Sequence, residues 1–406
     1  MSESYDRRTM VGGALAAGLV ALTAGDAGAT APSLRARLQA VVDQHLAARR
    51  KPEGITCISA HVSRSEEDRG ISVVTGATDR SGRLPITDRT LFEVGSNTKA
   101  FTSALLLKLE AAGKLDIDQT IGDWLPQYPA WGHVKIRRLL NMTSGIPTYS
   151  EAPRFMKAQA ENKFRHFTEE ELVAYAYPRP GNHLPVSEGY FYSNTNYILA
   201  GMIVAKAGRE SYERQLRRLI LKPLRMWDSF YDGWKLPPEV IERMASGYFL
   251  NPACSEYRPN CTVGPLQPLD GQNMRRADVS WTGPAGGLVS TPRDLTRWVR
   301  GVFGGLVVPP AQLAQMKQLI SLRTGRPIAG TTADDPQGYG LGLAQMYQPG
   351  VGQFWFYEGM TLGYRGVFAC YPEDDLVLSV ALNSQPPEGA DAIGPLFQSL
   401  YAAVMQ

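Results

Sequence analysis

The sequence predicts an α+β protein in which helices flank an antiparallel β-sheet and a mostly helical domain is inserted into the chain. Strand-like segments lie near both ends of the sequence, at 55–62, 70–75, 353–357, 364–371 and 376–382. Between about 116 and 279 the pattern changes to short helices and long polar loops. Because the terminal strands are expected to share one sheet, we predict a sheet domain at 33–115 and 280–406, and a mostly helical domain at 116–279.

The helices are indicated by apolar spacing and by signals at their ends. Thr168 with Glu171 forms a capping box that predicts a helix start, and Gly113 ends the helix predicted after Ser96. A proline in the first turn predicts another helix from Ser290. Further helices are predicted at 196–207, at 212–221 and from about 389 onwards.

The composition is typical of an enzyme with a large core. Of the 406 residues, 44% are hydrophobic and 20% are charged. The net charge of +3 is far from the basic excess that nucleic-acid binding requires, so we expect no nucleic-acid partner. Past residue 30, no apolar run is long enough to span a bilayer, so we expect no membrane span.

The first 29 residues predict an export signal. Arg7 and Arg8 precede an apolar run of small residues at 11–24, and Ala27-Gly28-Ala29 follows. This pattern is typical of a twin-arginine signal cleaved after Ala29, so we expect a periplasmic or secreted protein. A buried N-terminal helix is the alternative, and the abundance of glycine and alanine disfavours it.

The four cysteines fall into two groups. Cys254 and Cys261 flank a polar, proline-containing stretch, and a local disulfide is expected there in an oxidising compartment. Cys57 and Cys370 lie in apolar strand-like segments and are expected to be buried free thiols. Because cysteine and histidine do not cluster at metal-ligand spacing, we predict no metal site and no cofactor.

Ser96-Asn97-Thr98-Lys99 is the strongest chemical signal in the chain. At a helix start, a serine three residues before a lysine puts the hydroxyl and the amine on one face. A neighbouring amine can accept the serine proton, and the helix N-terminus stabilises a developing oxyanion. A helix-capping role for Ser96 and a surface position for Lys99 are the alternatives.

Three further stretches accompany Ser96 and Lys99 in order along the chain. They are Leu139–Pro147, Tyr192-Ser193-Asn194 and Pro284–Leu295. Together these motifs resemble the serine β-lactamase and penicillin-binding protein superfamily, in the branch of class C β-lactamases and related D-alanyl-D-alanine carboxypeptidases and esterases. The resemblance covers about 34–405 and implies the fold of that superfamily.

The resemblance also implies roles for single residues. Ser96 would be the acylated nucleophile, Lys99 its proton-accepting partner, and Tyr192 the catalytic tyrosine. Asn194 would hold the acyl side chain of the substrate. Tyr192 as a core tyrosine, and Asn194 as the cap of a helix at Asn196, are the alternatives from the residues themselves.

The third motif departs from the superfamily pattern. Where relatives carry Lys-Thr-Gly or His-Thr-Gly, Tyr357-Glu358-Gly359 stands here, and Met360 is implied as an oxyanion N–H donor. We expect Glu358 to face the cleft and repel a substrate carboxylate. Arg365 is a candidate for restoring positive charge nearby.

These observations predict a serine hydrolase that acts through an acyl-enzyme on Ser96. The predicted substrate is a small molecule or peptide with an amide or ester bond, cleaved by a D-alanyl-D-alanine carboxypeptidase-like or β-lactamase-family amide hydrolase. The alternatives are a carboxylesterase of the same family and a penicillin-binding sensor without turnover. Outside enzymes, a structural envelope protein remains an alternative.

Overall fold

The computed structural model describes residues 32–65, 70–180, 184, 186–231, 236–251, 264–387 and 389–406. The predicted export signal at 1–29, with Cys254 and Cys261, lies outside these residues. Within the described ranges, no helix combines the length and the apolar character needed to cross a membrane.

The fold is organised by a nine-stranded sheet in which every pairing is antiparallel. The strands of the chain are β1 (Cys57–Ser63), β2 (Ile71–Gly76), β3 (Phe92–Glu93), β4 (Phe230–Tyr231), β5 (Tyr248–Phe249), β6 (Leu288–Ser290), β7 (Leu319–Ser321), β8 (Pro327–Ile328), β9 (Gln337–Tyr339), β10 (Ala344–Gln348), β11 (Gly352–Met360), β12 (Arg365–Tyr371), β13 (Leu376–Leu382) and β14 (Ser384–Gln385). The large sheet has the order β2-β1-β13-β12-β11-β10-β9-β7-β8. Strands from both ends of the chain therefore share one antiparallel sheet, which confirms the predicted fold class.

Helices cover both faces of this sheet. The α-helices of the described residues are α1 (Leu34–Glu53), α2 (Thr98–Ala111), α3 (Ile121–Trp124), α4 (Ile136–Leu140), α5 (Pro153–Glu161), α6 (Glu169–Ala176), α7 (Asn194–Gly208), α8 (Tyr212–Leu216), α9 (Pro238–Glu242), α10 (Pro292–Phe303), α11 (Pro310–Met316) and α12 (Ile393–Met405). The capping box at Thr168 starts α6 as predicted. The predicted helix at 212–221 is α8 followed by a π-helical turn, and the final helix begins at Ile393 rather than near 389.

Two hydrophobic cores lie on opposite faces of the sheet. On one face, α1 and α12 pack over Phe354, Phe356 and Val367. On the other face, Trp355 and Tyr357 of the same β11 join the larger core, which includes α2 and α7. Because successive side chains of a strand point to opposite faces, alternate residues of β11 belong to the two different cores.

The segment between 116 and 279 contains α3–α9 and two very short strands. β4 pairs with β6, and β5 pairs with β14, so small sheets connect this segment to the chain after it. The division into domains at 116 and 279 stays a prediction.

Cys57 and Cys370 are free thiols buried in the sheet, as predicted. Burial raises the pKa of each thiol to about 12. Both cysteines are therefore unreactive at neutral pH in the folded protein.

Candidate active site

Ser96 lies in a tight turn that joins β3 to α2. Gly95–Asn97 form a short 3₁₀ turn, and α2 begins at Thr98. Gly95 has a φ of +51°, and a Cβ on it would come within 2.6 Å of the backbone nitrogen of Met360. A glycine is therefore required here, both for the left-handed backbone and for the close approach of β11.

The Asn97 side chain holds this turn in place through two hydrogen bonds to backbone carbonyl oxygens. Its amide nitrogen donates to the carbonyl oxygens of Val94 at 2.7 Å and of Gly366 at 2.6 Å. Asn97 is fully buried, whereas Ser96 is partly exposed. The turn therefore presents the Ser96 hydroxyl to the cleft from a rigid support.

Lys99 lies one helical turn beyond Ser96 and is fully buried. Its Nζ donates to Ser96 Oγ at 2.9 Å, to Asn194 Oδ1 at 2.8 Å and to the Ala285 carbonyl oxygen at 2.9 Å. An ammonium group has three N–H donors, and three oxygens accept them here. The surface alternative for Lys99 is therefore wrong, and the amine is held against the serine.

Tyr192 completes the contacts of the serine. Its hydroxyl donates to Ser96 Oγ at 2.7 Å, and Lys99 Nζ lies 4.8 Å from the centre of its ring. Burial alone would raise the pKa of Tyr192, but the charge of Lys99 and the hydrogen bonds that Tyr192 shares with Lys99 and Ser96 outweigh burial and lower this pKa. Tyr192 is thus poised to exchange a proton with the serine.

Asn194 is the first residue of α7 and holds Lys99 from the opposite side. Its Nδ2 donates to Ser150 Oγ at 3.0 Å, and its backbone N–H donates to Thr148 Oγ1 at 3.1 Å. The cap residue of α7 is Ser193, whose side chain makes no capping bond. The capping alternative for Asn194 is therefore wrong, and its side chain is directed to the lysine.

The end of β11 runs past its neighbour and lies against the serine turn. The last pair between β10 and β11 is Ala344 with Phe356, so 357–360 continue beyond β10. A Cβ on Gly359 would lie 2.0 Å from the Val94 carbonyl oxygen and 2.7 Å from the Ser96 nitrogen. Gly359 is therefore the residue that lets β11 approach Ser96, and Met360 follows it beside Gly95.

Tyr357 faces the site, whereas Glu358 does not. The Tyr357 hydroxyl lies 2.9 Å from the Tyr339 hydroxyl in the core shared with α2 and α7. Glu358 pairs with Val367, whose side chain belongs to the core on the α1 and α12 face. The expectation that Glu358 faces the cleft is wrong, because a strand directs neighbouring side chains to opposite faces.

Arg365 also lies behind the sheet rather than in the cleft. It is fully buried and donates to Glu53 Oε2 at 2.7 Å and to Asp391 Oδ1 at 2.6 Å. The expectation that Arg365 supplies positive charge to the site is therefore wrong. Burial, reinforced by the nearby Asp391 carboxylate, raises the pKa of Glu358 well above its usual range.

Sequence reasoning missed several residues of the site. Ser150 and Thr148 hold Asn194, and the Ala285 carbonyl holds Lys99. Ala285 lies in a motif that was recognised, but a backbone carbonyl carries no signal of its own in a sequence. Across the described ranges, no group of three or more His, Cys, Asp or Glu side chains could hold a metal ion.

Comparison with known proteins identifies the family of this chain. The family model described as Beta-lactamase matches residues 40–403. The chain belongs to the beta-lactamase family.

Individual relatives support the same assignment. The chain is 32% identical to penicillin-binding protein 4* of Bacillus subtilis over 178 residues, which cover 43% of this chain and 38% of that protein. It is 28% identical to a beta-lactamase of Psychrobacter immobilis over 242 residues, which cover 59% of this chain and 52% of that protein. The chain thus spans about two fifths to one half of the length of these curated relatives.

Solved structures cover the chain more completely. A D-stereospecific amidohydrolase from Streptomyces sp. is 26% identical, with a TM-score of 0.69, and the match covers 90% of this chain and 98% of that one. A D-amino acid amidase from Ochrobactrum anthropi SV3 is 24% identical, with a TM-score of 0.73, and the match covers 92% and 98%. The similarity to the D-amino acid amidase shows that the two chains share a fold.

Proposed function

We propose that the protein is a serine hydrolase that forms an acyl-enzyme on Ser96. The observation that supports this most directly is the position of Ser96 Oγ, 2.9 Å from Lys99 Nζ and 2.7 Å from the Tyr192 hydroxyl. A nucleophile within hydrogen-bond reach of its base, with the base oriented by a third group, is the pattern of covalent acyl transfer. Asn194 is that third group.

In acylation, the reactive form of the Lys99–Tyr192 pair has one proton fewer than its fully protonated form. The Ser96 proton passes to this pair as Oγ bonds to the substrate carbonyl carbon, and the carbonyl electron pair moves to oxygen. The bond to the leaving nitrogen or oxygen then breaks as that atom takes a proton from Tyr192. The pair has then returned to its starting protonation state.

The backbone N–H groups of Ser96 and Met360 are the proposed donors to the developing oxyanion. The approach of Gly359 and Met360 to the serine turn brings the two segments together. Donors fixed by a strand and a helix start need no reorganisation during the reaction. In deacylation, a water molecule gives its proton to the pair and attacks the acyl carbon, and Ser96 Oγ leaves with that proton.

The proposed substrate carries an amide or ester bond and no carboxylate beside the third motif. Residues 357–360 contribute no cation there, and Arg365 is engaged by Glu53 and Asp391 on the other face. We therefore place a neutral amide ahead of a peptide with a free C-terminal carboxylate. The names of the structural neighbours, an amidohydrolase and an amidase, agree with this choice. A carboxylesterase is the second candidate, because a site without a cation at 357–360 also suits a neutral ester.

The test compares the wild-type protein with Ser96→Ala on D-amino acid amides, D-Ala-D-Ala peptides, short p-nitrophenyl esters and nitrocefin. We expect turnover of neutral amides or esters and covalent labelling by a fluorophosphonate, both lost in Ser96→Ala. Ser399→Ala, an exposed serine on α12, is the matched control and should keep both. Labelling that persists in Ser96→Ala would overturn the mechanism. A stable adduct without product release would favour the sensor.

We also propose that residues 1–29 direct export. Replacing Arg7 and Arg8 with lysines should then retain the uncleaved precursor inside the cell, because the paired arginines are the recognised part of the signal. Normal export of that variant would contradict the proposal.

A further inference from the structure

Among the strands that the structure describes, only β12 pairs with the end of β11 that lies beside the serine turn. β10 accompanies β11 as far as the pair of Ala344 and Phe356, and residues 357–360 then pair with β12 alone. The last pair of β11 and β12 joins Met360 to Arg365. The position of Met360 in the sheet is therefore set by the first residues of β12.

The hydrogen bonds of this pairing direct the Met360 N–H away from β12. The Thr361 N–H donates to the Tyr364 carbonyl oxygen at 3.0 Å. In an antiparallel pair of strands, opposite residues that exchange hydrogen bonds alternate with opposite residues that do not. The adjacent pair of Met360 and Arg365 is therefore of the second kind, and the Met360 N–H points outwards, to the side on which Gly95 lies.

Arg365 connects the start of β12 to three other segments. Its side chain donates to Glu53 Oε2 at the end of α1 at 2.7 Å, to Asp391 Oδ1 before α12 at 2.6 Å, and to the Ser384 carbonyl oxygen in β14 at 3.1 Å. Because the guanidinium is planar and fully buried, these three acceptors together fix its position and its direction. The backbone opposite Met360 is thereby held by groups outside the sheet pairing.

We propose that Arg365 is a positioning residue that holds the Met360 N–H at the distance from the serine turn that the developing oxyanion requires. The proposal rests on the proposed function, since it concerns the same acyl transfer on Ser96. Donors to an oxyanion act at about 2.7–3.1 Å, so a small displacement of β12 is enough to weaken the hydrogen bond. Arg365 thus affects the reaction through Met360, although its own side chain lies behind the sheet.

The experiment compares kcat/KM for a p-nitrophenyl ester and for the matching thionoester, in which sulfur replaces the carbonyl oxygen. Wild type, Arg365→Lys and Asp391→Asn are measured. A sulfur anion is larger and accepts hydrogen bonds more weakly, so a fixed oxyanion site favours the ester over the thionoester. A change in the ratio of the two rates therefore reports a change in the oxyanion site.

We expect this ratio to fall by about tenfold in Arg365→Lys, against the roughly 10²–10³-fold cost of losing a whole donor. The fall should be smaller in Asp391→Asn, which keeps the other two acceptors of the guanidinium. Arg365→Lys retains the positive charge but loses the planar fork of donors, so its effect reports position rather than charge. Partial unfolding lowers both rates by the same factor and leaves the ratio unchanged.

The matched control is Arg300→Lys. Arg300 also connects several segments, since it donates to the Ser63 carbonyl oxygen at 2.8 Å and to the Asp375 carbonyl oxygen at 2.7 Å. Asp375 lies in the turn that follows β12, at the end of the strand opposite to Arg365. Arg300→Lys should therefore keep the wild-type ratio.

An unchanged ratio in both Arg365→Lys and Asp391→Asn would overturn the proposal, and so would an equal fall in Arg300→Lys. Asp391 is 29% exposed, so Asp391→Asn tests the proposal even if Arg365→Lys folds poorly. Failure of the proposed function is distinguishable, because it appears as fluorophosphonate labelling of Ser96→Ala rather than as an unchanged ratio.

Discussion

Arg365 and Glu53 form an ion pair of 2.7 Å in which both side chains are fully buried, directly behind the strand that carries Tyr357. Each charge is compensated only by its neighbours in the protein. Arg365→Met should lower the free energy of unfolding by about 3–5 kcal/mol, because the buried Glu53 loses its buried partner and keeps Arg49, whose side chain is 30% exposed. Denaturant unfolding measures the loss.

The matched control for Arg365 is Arg218→Met. Arg218 pairs with Glu210 at 2.7 Å, but its side chain is 55% exposed. Exposed pairs contribute about 0–1 kcal/mol, so this variant should unfold almost as the wild type does. Equal losses in the two variants would contradict the view that burial makes the Arg365 pair important.

Glu358 should make the stability of the protein fall as the pH rises. Its pKa in the folded state is raised from its usual value of 4.5, so the folded protein holds a proton that the unfolded chain has released. Stability is then lost from about pH 4.5 upwards, until the raised pKa is passed. In Glu358→Gln this decline should be smaller. The melting temperature of the variant, relative to that of the wild type, should therefore rise between about pH 5 and pH 8.

The groups around Glu358 are Asp391, Arg365 and Glu53, and they stay in place in Glu358→Gln. Glu239→Gln, on the exposed side of α9, is the control and should follow the wild-type curve. Parallel curves for wild type and Glu358→Gln across this range would show that Glu358 is charged in the folded protein.

Lys99→Met should reduce kcat/KM by roughly a thousandfold or more, because the nucleophile and its base act as a unit. Lys99→Arg should not restore activity, since a guanidinium keeps the charge but does not accept a proton. The rate of fluorophosphonate labelling provides a second measurement. Activity in Lys99→Arg within tenfold of wild type would mean that only positive charge is needed at this position.

Ser150→Ala should lower kcat/KM by roughly threefold to tenfold. The hydroxyl accepts from Asn194 Nδ2 at 3.0 Å, and a lost hydrogen bond of this kind is worth about 1 kcal/mol. Asn194→Ala should cost more, because it also removes an acceptor of the Lys99 amine. If Ser150→Ala lowered activity more than Asn194→Ala did, the serine would have a role of its own at the substrate.

The parts of the site that sequence could predict are local ones. Ser96 and Lys99 are one helical turn apart, so their spacing alone places both groups on one face. Tyr357 and Glu358 could not both face the cleft, because a strand directs neighbouring side chains to opposite faces, and the structure places Tyr357 on the side of the site and Glu358 on the other side.

Contacts between distant segments left no comparable signal. Tyr339 and Tyr357 lie on strands that are separated by β10, and their hydroxyls meet only after the sheet has formed. Arg365 contacts Glu53, which lies 312 positions away in the sequence. By contrast, the capping box at Thr168 was visible because all its partners lie within four residues.

The thiol count tests the predicted disulfide between Cys254 and Cys261. In the native protein, Cys57 and Cys370 should react slowly, because burial raises the pKa of each to about 12. After denaturation without a reductant, two thiols should react rapidly, and four should react after reduction. Four reactive thiols before reduction would show that the disulfide is not formed.

Lys99 joins three parts of the chain that are far apart in sequence, at residues 96, 194 and 285. Removing either distant segment would leave the amine with fewer oxygen acceptors and admit water around it. The reactivity of the serine is therefore a property of the completed tertiary structure, and the serine of a peptide that contains only 96–99 should not be labelled by a fluorophosphonate. During refolding, labelling of Ser96 should begin only after the segments around 194 and 285 have docked. The time at which labelling begins therefore reports when this docking is complete.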